Sequence, residues 1–211
     1  MYLPAAFHSD DREGASALID HHPLATLVMS DAQGLLVNHL PLMRDPAAPG
    51  LVRLIGHLAA ANPLAGRLAG ATEVLAVFQG TQGYISPSWY ATKAEHGKVV
   101  PTWNYAVVHL RVRAETVNDE AGKRAIVETL TDRFERERAQ PWAVGDAPED
   151  FVRARLAGII GLRLLIESIT FKAKLSQNQP PVNVSSLLSG LRAEGCDTMA
   201  EAIEAAKPAR P

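Results

Sequence analysis

The chain has 211 residues, 47% of them hydrophobic and 21% charged, with a formal net charge of −2. That length suits one domain, or one domain with an appendage, with enough mass for a full core. A single cysteine, Cys196, excludes an internal disulfide and a thiolate metal cluster, and the near-neutral charge lacks the basic footprint of a typical nucleic-acid binder.

The opening MYLPAAFHSDD has neither the basic start nor the apolar stretch of a secretory signal, and no apolar run reaches the roughly 18 residues of a membrane span. Cytoplasm is the expected location. Ser9 and Asp10, with Glu13 after them, read as a helix start; Ala15, Leu18 and Ile19 form its apolar face and Pro23 stops it. LATLVM (24–29), a turn around SDAQG (30–34) and LLVNHLPL (35–42) read as a β-hairpin. LVRLIGHL (51–58) is a further strand, with Arg53, Ile55 and His57 on one side. Asn62-Pro63 predicts a helix cap with proline at the first helical position, opening a short helix that ends near Gly70. EVLAVFQG (73–80) is an apolar strand.

YISPSWYATKAEHGKVVPTWNY (84–105) breaks the pattern. Five of the chain's twelve aromatic residues fall here, between prolines and small polar groups, without sustained apolar periodicity. A core strand would alternate valines and leucines, so a flat aromatic ligand or a subunit interface is the alternative. YAVVHLRVRAET (105–116) then alternates, with Val108, Leu110, Val112 and Ala114 on one face and His109, Arg111, Arg113 and Glu115 on the other. The stripe Ile126, Val127, Leu130, Phe134 predicts an amphipathic helix over 118–138. A helix over 148–157, a β-like run over 159–175 and a helical tail beyond Pro181, ending in a frayed KPARP, complete the chain. About six strands closing on themselves, with helices at the ends and edges, predict an α+β, mainly β architecture built on a small barrel. The expected division is a barrel domain over 1–180 and a helical extension over 181–211 packed on it.

The standard catalytic motifs are absent: there is no GxxxxGK[ST], GxGxxG after a strand, GxSxG or HExxH. His39, His57 and His109 stand on strands without close metal-ligand spacing, and a hydrogen-bonded structural histidine is the simpler reading of each.

Six stretches in order carry a resemblance: MYLPAAF, NHLPL (38–42), GHLAAANP (56–63), VFQGTQGYISPSWY (77–90), VPTWNYAVVH (100–109) and KLSQNQP (174–180). Together, over roughly residues 1–190, they resemble the PaiB family of bacterial FMN-binding negative transcriptional regulators. The resemblance implies a split β-barrel flavoprotein, a homodimer with FMN at the subunit interface, and DNA or a regulatory protein as a possible partner. Gln179 stands where the family commonly shows arginine, which removes one possible phosphate partner, and Leu64 follows NP where the family usually has a larger polar or aromatic pair.

An isoalloxazine ring is a flat π-system with a polar, uracil-like edge. Tyr84, Trp89, Tyr90, Trp103 and Tyr105 could stack on it, and Ser86, Thr102 and Asn104 could address its edge. Packing of a dimer interface is the other reading of these aromatics, and both hold if the flavin lies in that interface. For the phosphate, the sequence offers His57, Asn62, Lys174, Gln177 and Asn178, with Lys174 and Gln177 expected nearest. His39, beside Leu40 in NHLPL, either donates to the cofactor or satisfies a carbonyl; Asn62 is either a donor or only a cap. The functional expectations are an FMN-binding regulator, an FMN-dependent oxidoreductase such as a flavin reductase or a pyridoxamine-phosphate oxidase, and, third, a haem-binding split barrel.

Overall fold

The alternating stretches of the sequence become seven strands in the computed structural model, which describes residues 1–68, 71 and 73–206. The strands are β1 (His8–Ser9), β2 (Leu24–Asp31), β3 (Gly34–Arg44), β4 (Arg53–Ala59), β5 (Glu73–Ile85), β6 (Thr102–Val117) and β7 (Ile159–Lys174). Their hydrogen-bonded order is β1-β7-β4-β3-β2-β5-β6, and β6 also pairs with β7, so the sheet closes into a ring of antiparallel strands. The helices are α1 (Arg12–His21), α2 (Pro63–Arg67), α3 (Lys93–His96), α4 (Glu120–Glu135), α5 (Glu149–Ala157), α6 (Pro181–Ala193) and α7 (Asp197–Ala205). The mixed α+β, mainly β class read from the sequence is the observed one.

The chain forms two compact units. One comprises Arg12–Phe78 and His109–Ile169; the other comprises Met1–Asp11, Gln79–Val108 and, of the described residues, 170–206. The long strands β5, β6 and β7 each contribute residues to both.

In the larger unit the β2–β3 hairpin turns at Ala32-Gln33, where Gly34 takes a φ of 100° that a side chain would disfavour. Asp31 accepts from the Gln33 amide and from the Arg67 guanidinium, which fastens α2 to the hairpin. The Arg67 hydrogen bond holds the Asp31 carboxyl below its ordinary range. Leu54 and Leu58 of β4 are buried, and Ile55 on the opposite side is covered by Ile126 and Leu130 of α4. Close approach of α4 is possible because Gly161 has no side chain: a Cβ there would lie 2.8 Å from Ile126 Cδ1. The predicted stripe of α4 ends early, since Phe134 is largely exposed, while Val127 packs on the cluster of Val144, Val152 and Leu156. Alternate residues of β3 behave differently. Leu35, Val37, His39 and Pro41 all face outward, opposite Leu24, Thr26, Val28 and Ser30 of β2.

In the smaller unit Ile85, Tyr90 and Leu175 form a core with Leu187 and Leu191 of α6 and Met199, Ala200 and Ile203 of α7. The expected end of the short helix near Gly70 and the terminal KPARP lie outside the described residues.

Candidate functional site

The irregular aromatic segment is the source of the smaller unit's chemistry. Ser86 caps a turn of 3-10 helix over Pro87–Trp89, accepting from the Ser88 amide at 3.1 Å, and β6 begins at Thr102, earlier than the alternation suggests. Tyr84 and Trp103 are both about half exposed and meet edge to face, with ring centroids 6.4 Å apart. The Trp103 indole N–H donates to Gln82 Oε1 at 3.2 Å, which fixes the ring's orientation. Trp89 has a different job. A Cβ on Gly190 of α6 would lie 2.4 Å from its ring, so that ring is wedged against the helix backbone as part of the core.

A cavity of about 140 Å³ lies within this unit, lined by Phe7, Tyr90, Val100, Thr102, Asn104, Lys174, Ser176, Asn178 and Gln179. Asn104 is fully buried; its amide N–H donates to Ser176 Oγ at 2.8 Å, and its Oδ1 has no partner. Tyr90 is almost fully buried and its hydroxyl also lacks a partner. Burial pushes the phenol pKa up, and the Ser176 hydroxyl, near but outside good hydrogen-bond geometry, offsets part of that. Ser176 itself holds a φ of 63°, the left-handed region, among the described residues the one non-glycine case. Buried polar atoms are nearly always satisfied, so two orphans around one cavity mark a site built for a partner.

Lys174 lies at the cavity wall, donating to Thr102 Oγ1 and, at 3.0 Å, to the Trp103 carbonyl. Gln177, expected beside it at a phosphate, is committed elsewhere: its Oε1 accepts from the Leu175 amide and its Nε2 donates to the Ala173 carbonyl. Asn178 remains at the cavity, and Gln179 joins it, its Oε1 accepting from Asn183. Tyr105 is drawn toward Lys172, whose ammonium sits 5.1 Å above its ring. Lys172 is 6% exposed and has no carboxylate partner among the described residues; it donates to the Tyr2 carbonyl at 3.1 Å and lies over the Tyr2 ring.

The remaining nominated residues belong to the larger unit. His39 shares a hydrogen bond with Thr26 at 3.1 Å on the outward face, and Leu40 is buried on the other. His57 is half-buried, and desolvation lowers its pKa. Asn62 is the cap read from the sequence: its Oδ1 accepts from the Leu64 amide at 2.9 Å and its Nδ2 donates to Asn38 Oδ1 at 2.8 Å. No cluster of three or more His, Cys, Asp or Glu able to hold a metal occurs among the described residues.

Sequence reading missed Phe7, Val100, Ser176 and Gln179 as cavity residues. Ser176 was findable, since it lies inside the KLSQN stretch, but nothing in a serine signals a left-handed backbone.

The profile of the family described as "Putative FMN-binding domain" matches residues 1–168. This chain belongs to that family. It is 29% identical over 208 residues to the protease synthase and sporulation protein PAI 2 of Bacillus subtilis, covering 97% of both chains. That places it beside PaiB, as the motif order suggests. An uncharacterized protein of Saccharomyces cerevisiae is 30% identical over 170 residues, covering 72% of this chain and all of that one. Among solved structures, the FAD and heme binding protein of Mycobacterium smegmatis aligns with a TM-score of 0.59 at 21% identity, covering 79% of this chain and 73% of that one. The flavocytochrome Anf3 of Azotobacter vinelandii gives 0.56 at 20% identity, covering 79% and 69%. These likenesses establish the split-barrel fold, and the family makes FMN the cofactor of this domain. No helix among the described residues is long and apolar enough to cross a membrane.

The residues fit a flavin in kind. The half-exposed Tyr84–Trp103 pair offers apolar π-surface, and the unpartnered amide oxygen of Asn104 offers what a ring N–H would need. The cavity alone is far smaller than FMN, so a flavin would have to lie mostly outside it.

Proposed function

We propose that this protein is a PaiB-type FMN-binding regulator that works as a homodimer, holding the isoalloxazine ring against Trp103 and Tyr84 in the subunit interface. The observation that carries the reading is that edge-to-face pair, left half exposed on a monomer and pinned by Gln82. Large aromatic surface is seldom left uncovered without a use. The dimer has separate support in the larger unit. Leu24, Leu35 and Val37 are 62%, 73% and 52% exposed on one outward sheet face, where a soluble monomer would normally place polar side chains. FMN, when bound, supplies redox chemistry; this chain's residues supply the stacking surface and the polar contacts to the ring edge. In the regulator, flavin occupancy or redox state tunes a contact with DNA or with a regulatory protein.

A second reading, an FMN-dependent oxidoreductase, is favoured by one feature. The small cavity with unsatisfied Tyr90 and Asn104 is what a substrate pocket needs and what a pure switch does not. The two readings separate in one set of measurements on the purified protein: its absorption spectrum, its turnover with NADH or NADPH and an electron acceptor, and its retention of promoter DNA at low salt. Flavin bands with DNA retention and negligible turnover support the regulator. Rapid turnover with no DNA shift makes it an oxidoreductase, and a spectrum without flavin bands after FMN addition overturns both.

A further inference from the structure

The larger unit carries a cleft of about 780 Å³ between one face of α4 and the segment that follows β3, a volume within the range of small-molecule sites. We propose that it binds a small organic anion, a carboxylate or phosphate monoester on an apolar body. None of its lining residues falls in the six stretches that carry the family resemblance, and the inference does not depend on flavin binding.

One wall is held in shape before any ligand arrives. Asp45 is buried; its Oδ1 accepts from the Ala47 amide and its Oδ2 from Arg53 at 2.6 Å. Its own N–H donates to the Arg53 carbonyl, and its carbonyl accepts from the Ala48 amide. These bonds fix the chain around Pro46, and Met43, Pro46, Ala48 and Pro49 give the cleft an apolar surface. Met43 also packs on the cluster of Ile55, Ile126 and Leu130, so this wall rests on the core.

The facing wall supplies the charge. Thr129, Asp132, Arg133 and Arg136 form one face of α4, at spacings of three and four residues. Arg133 stands three residues beyond Leu130 and seven beyond Ile126, in line with the buried stripe, where a helix packed on a sheet carries apolar side chains. It is half-buried there, and neither it nor Arg136 has a carboxylate partner among the described residues. Three carboxylates line the cleft, but two are spent: Asp20 takes Arg44 with both oxygens, and Asp45 takes Arg53. Only the exposed Asp132 stands against Arg133 and Arg136, which leaves the cleft one negative charge short. A cation in the last turn of α4 suits the helix dipole. The dipole accounts for a basic residue, but not for one set in the buried stripe opposite an apolar wall. A guanidinium presents a flat fork of N–H groups that carboxylate and phosphate oxygens match. A neutral ligand would leave both arginines unpaired, and a bare inorganic anion would leave the apolar wall against water.

The test is calorimetric titration of the full-length protein, with and without FMN, using naphthoate, naphthyl phosphate, naphthalenemethanol and acetate. One or both of the naphthyl anions should bind about tenfold or more tightly than the alcohol and acetate, and the tighter of the two identifies the oxyanion. Arg133→Gln and Arg136→Gln should each weaken that binding about tenfold at unchanged circular dichroism. Arg136 is exposed, so its replacement carries the test even where Arg133→Gln unfolds the chain. No heat from either naphthyl anion overturns the proposal, as does equal binding of the alcohol or of acetate, or binding indifferent to Arg136→Gln. Displacement of the anion by FMN also overturns it, because the cleft then takes the flavin. Anion binding in a protein that takes up no FMN leaves this proposal standing and removes the flavin reading.

Discussion

Gly190→Ala puts a methyl group into the ring of Trp89. The new Cβ would sit 2.4 Å from Cδ1, 2.6 Å from Cγ and 2.9 Å from Nε1, atoms at the root of the indole. Favourable carbon contacts lie at about 3.5–4.0 Å, so ring or helix must retreat by about 1 Å. Trp89 has nowhere simple to go, because it packs on the cluster that joins Ile85 and Tyr90 to Leu187, Leu191 and Met199. Overpacking of this kind costs about 1–3 kcal/mol. Alanine returns somewhat under about 1 kcal/mol of helix propensity relative to glycine. The net expectation is a loss of about 1–2 kcal/mol, or roughly 2–8 °C in Tm for a domain of this size. Differential scanning calorimetry measures it directly. With Trp103 and Trp142 replaced by phenylalanine, the emission of Trp89 should also shift as its packing changes. FMN uptake should be unaltered, because the displaced ring serves the core. A Tm equal to or above that of the parent would refute the reasoning, showing that α6 can slide away from Trp89 at no cost.

Trp103→Ala should weaken FMN binding by about 1–3 kcal/mol, the usual worth of a stacked ring, and an unchanged fluorescence titration would remove Trp103 from the flavin site. Asn62→Ala should lower unfolding free energy by about 1–2 kcal/mol through loss of the cap and the Asn38 contact, with FMN affinity intact; lost flavin at full stability would reassign it to the cofactor. Val37→Glu, on the outward face, should leave the monomer folded and shift sedimentation toward monomer, and an intact dimer would exclude that face as the interface. Desolvation lowers the pKa values of His22, His57 and His109 in the folded state. The unfolded chain therefore binds protons first, and stability should fall as pH drops through about 6.5, with His57→Leu flattening the slope in urea melts between neutral and mildly acidic pH.

What the sequence made legible was whatever depends on neighbours along the chain. The β2–β3 hairpin with its turn within SDAQG, the alternation of β6, and the Asn62-Pro63 start of α2 are local patterns with local causes, and each is found. The aromatic segment was legible as an anomaly but not in its division of labour. Trp89 and Trp103 look alike in sequence. One is wedged on α6, roughly a hundred residues further along the chain, and the other faces outward beside Gln82. Gln177 read as a phosphate donor because its closing bonds to Leu175 and Ala173 require the turn that Ser176 creates. The stripe of α4 overran at Phe134 because periodicity continues after the surface it would cover has ended.

The burial of Lys172 bears on how the chain reacts with chemicals. Amine-acylating reagents attack an unprotonated, accessible amine, and Lys172 sits beneath the Tyr2 carbonyl and ring with 6% of its surface exposed. Lys93, at the start of α3, and Lys98 are exposed and should be acylated at ordinary surface rates. Lys172 should react only when the N-terminal stretch lifts from it. Its labelling rate, read by mass spectrometry after a timed pulse, is thus a clock for the opening of residues 1–9, and requires no engineered probe.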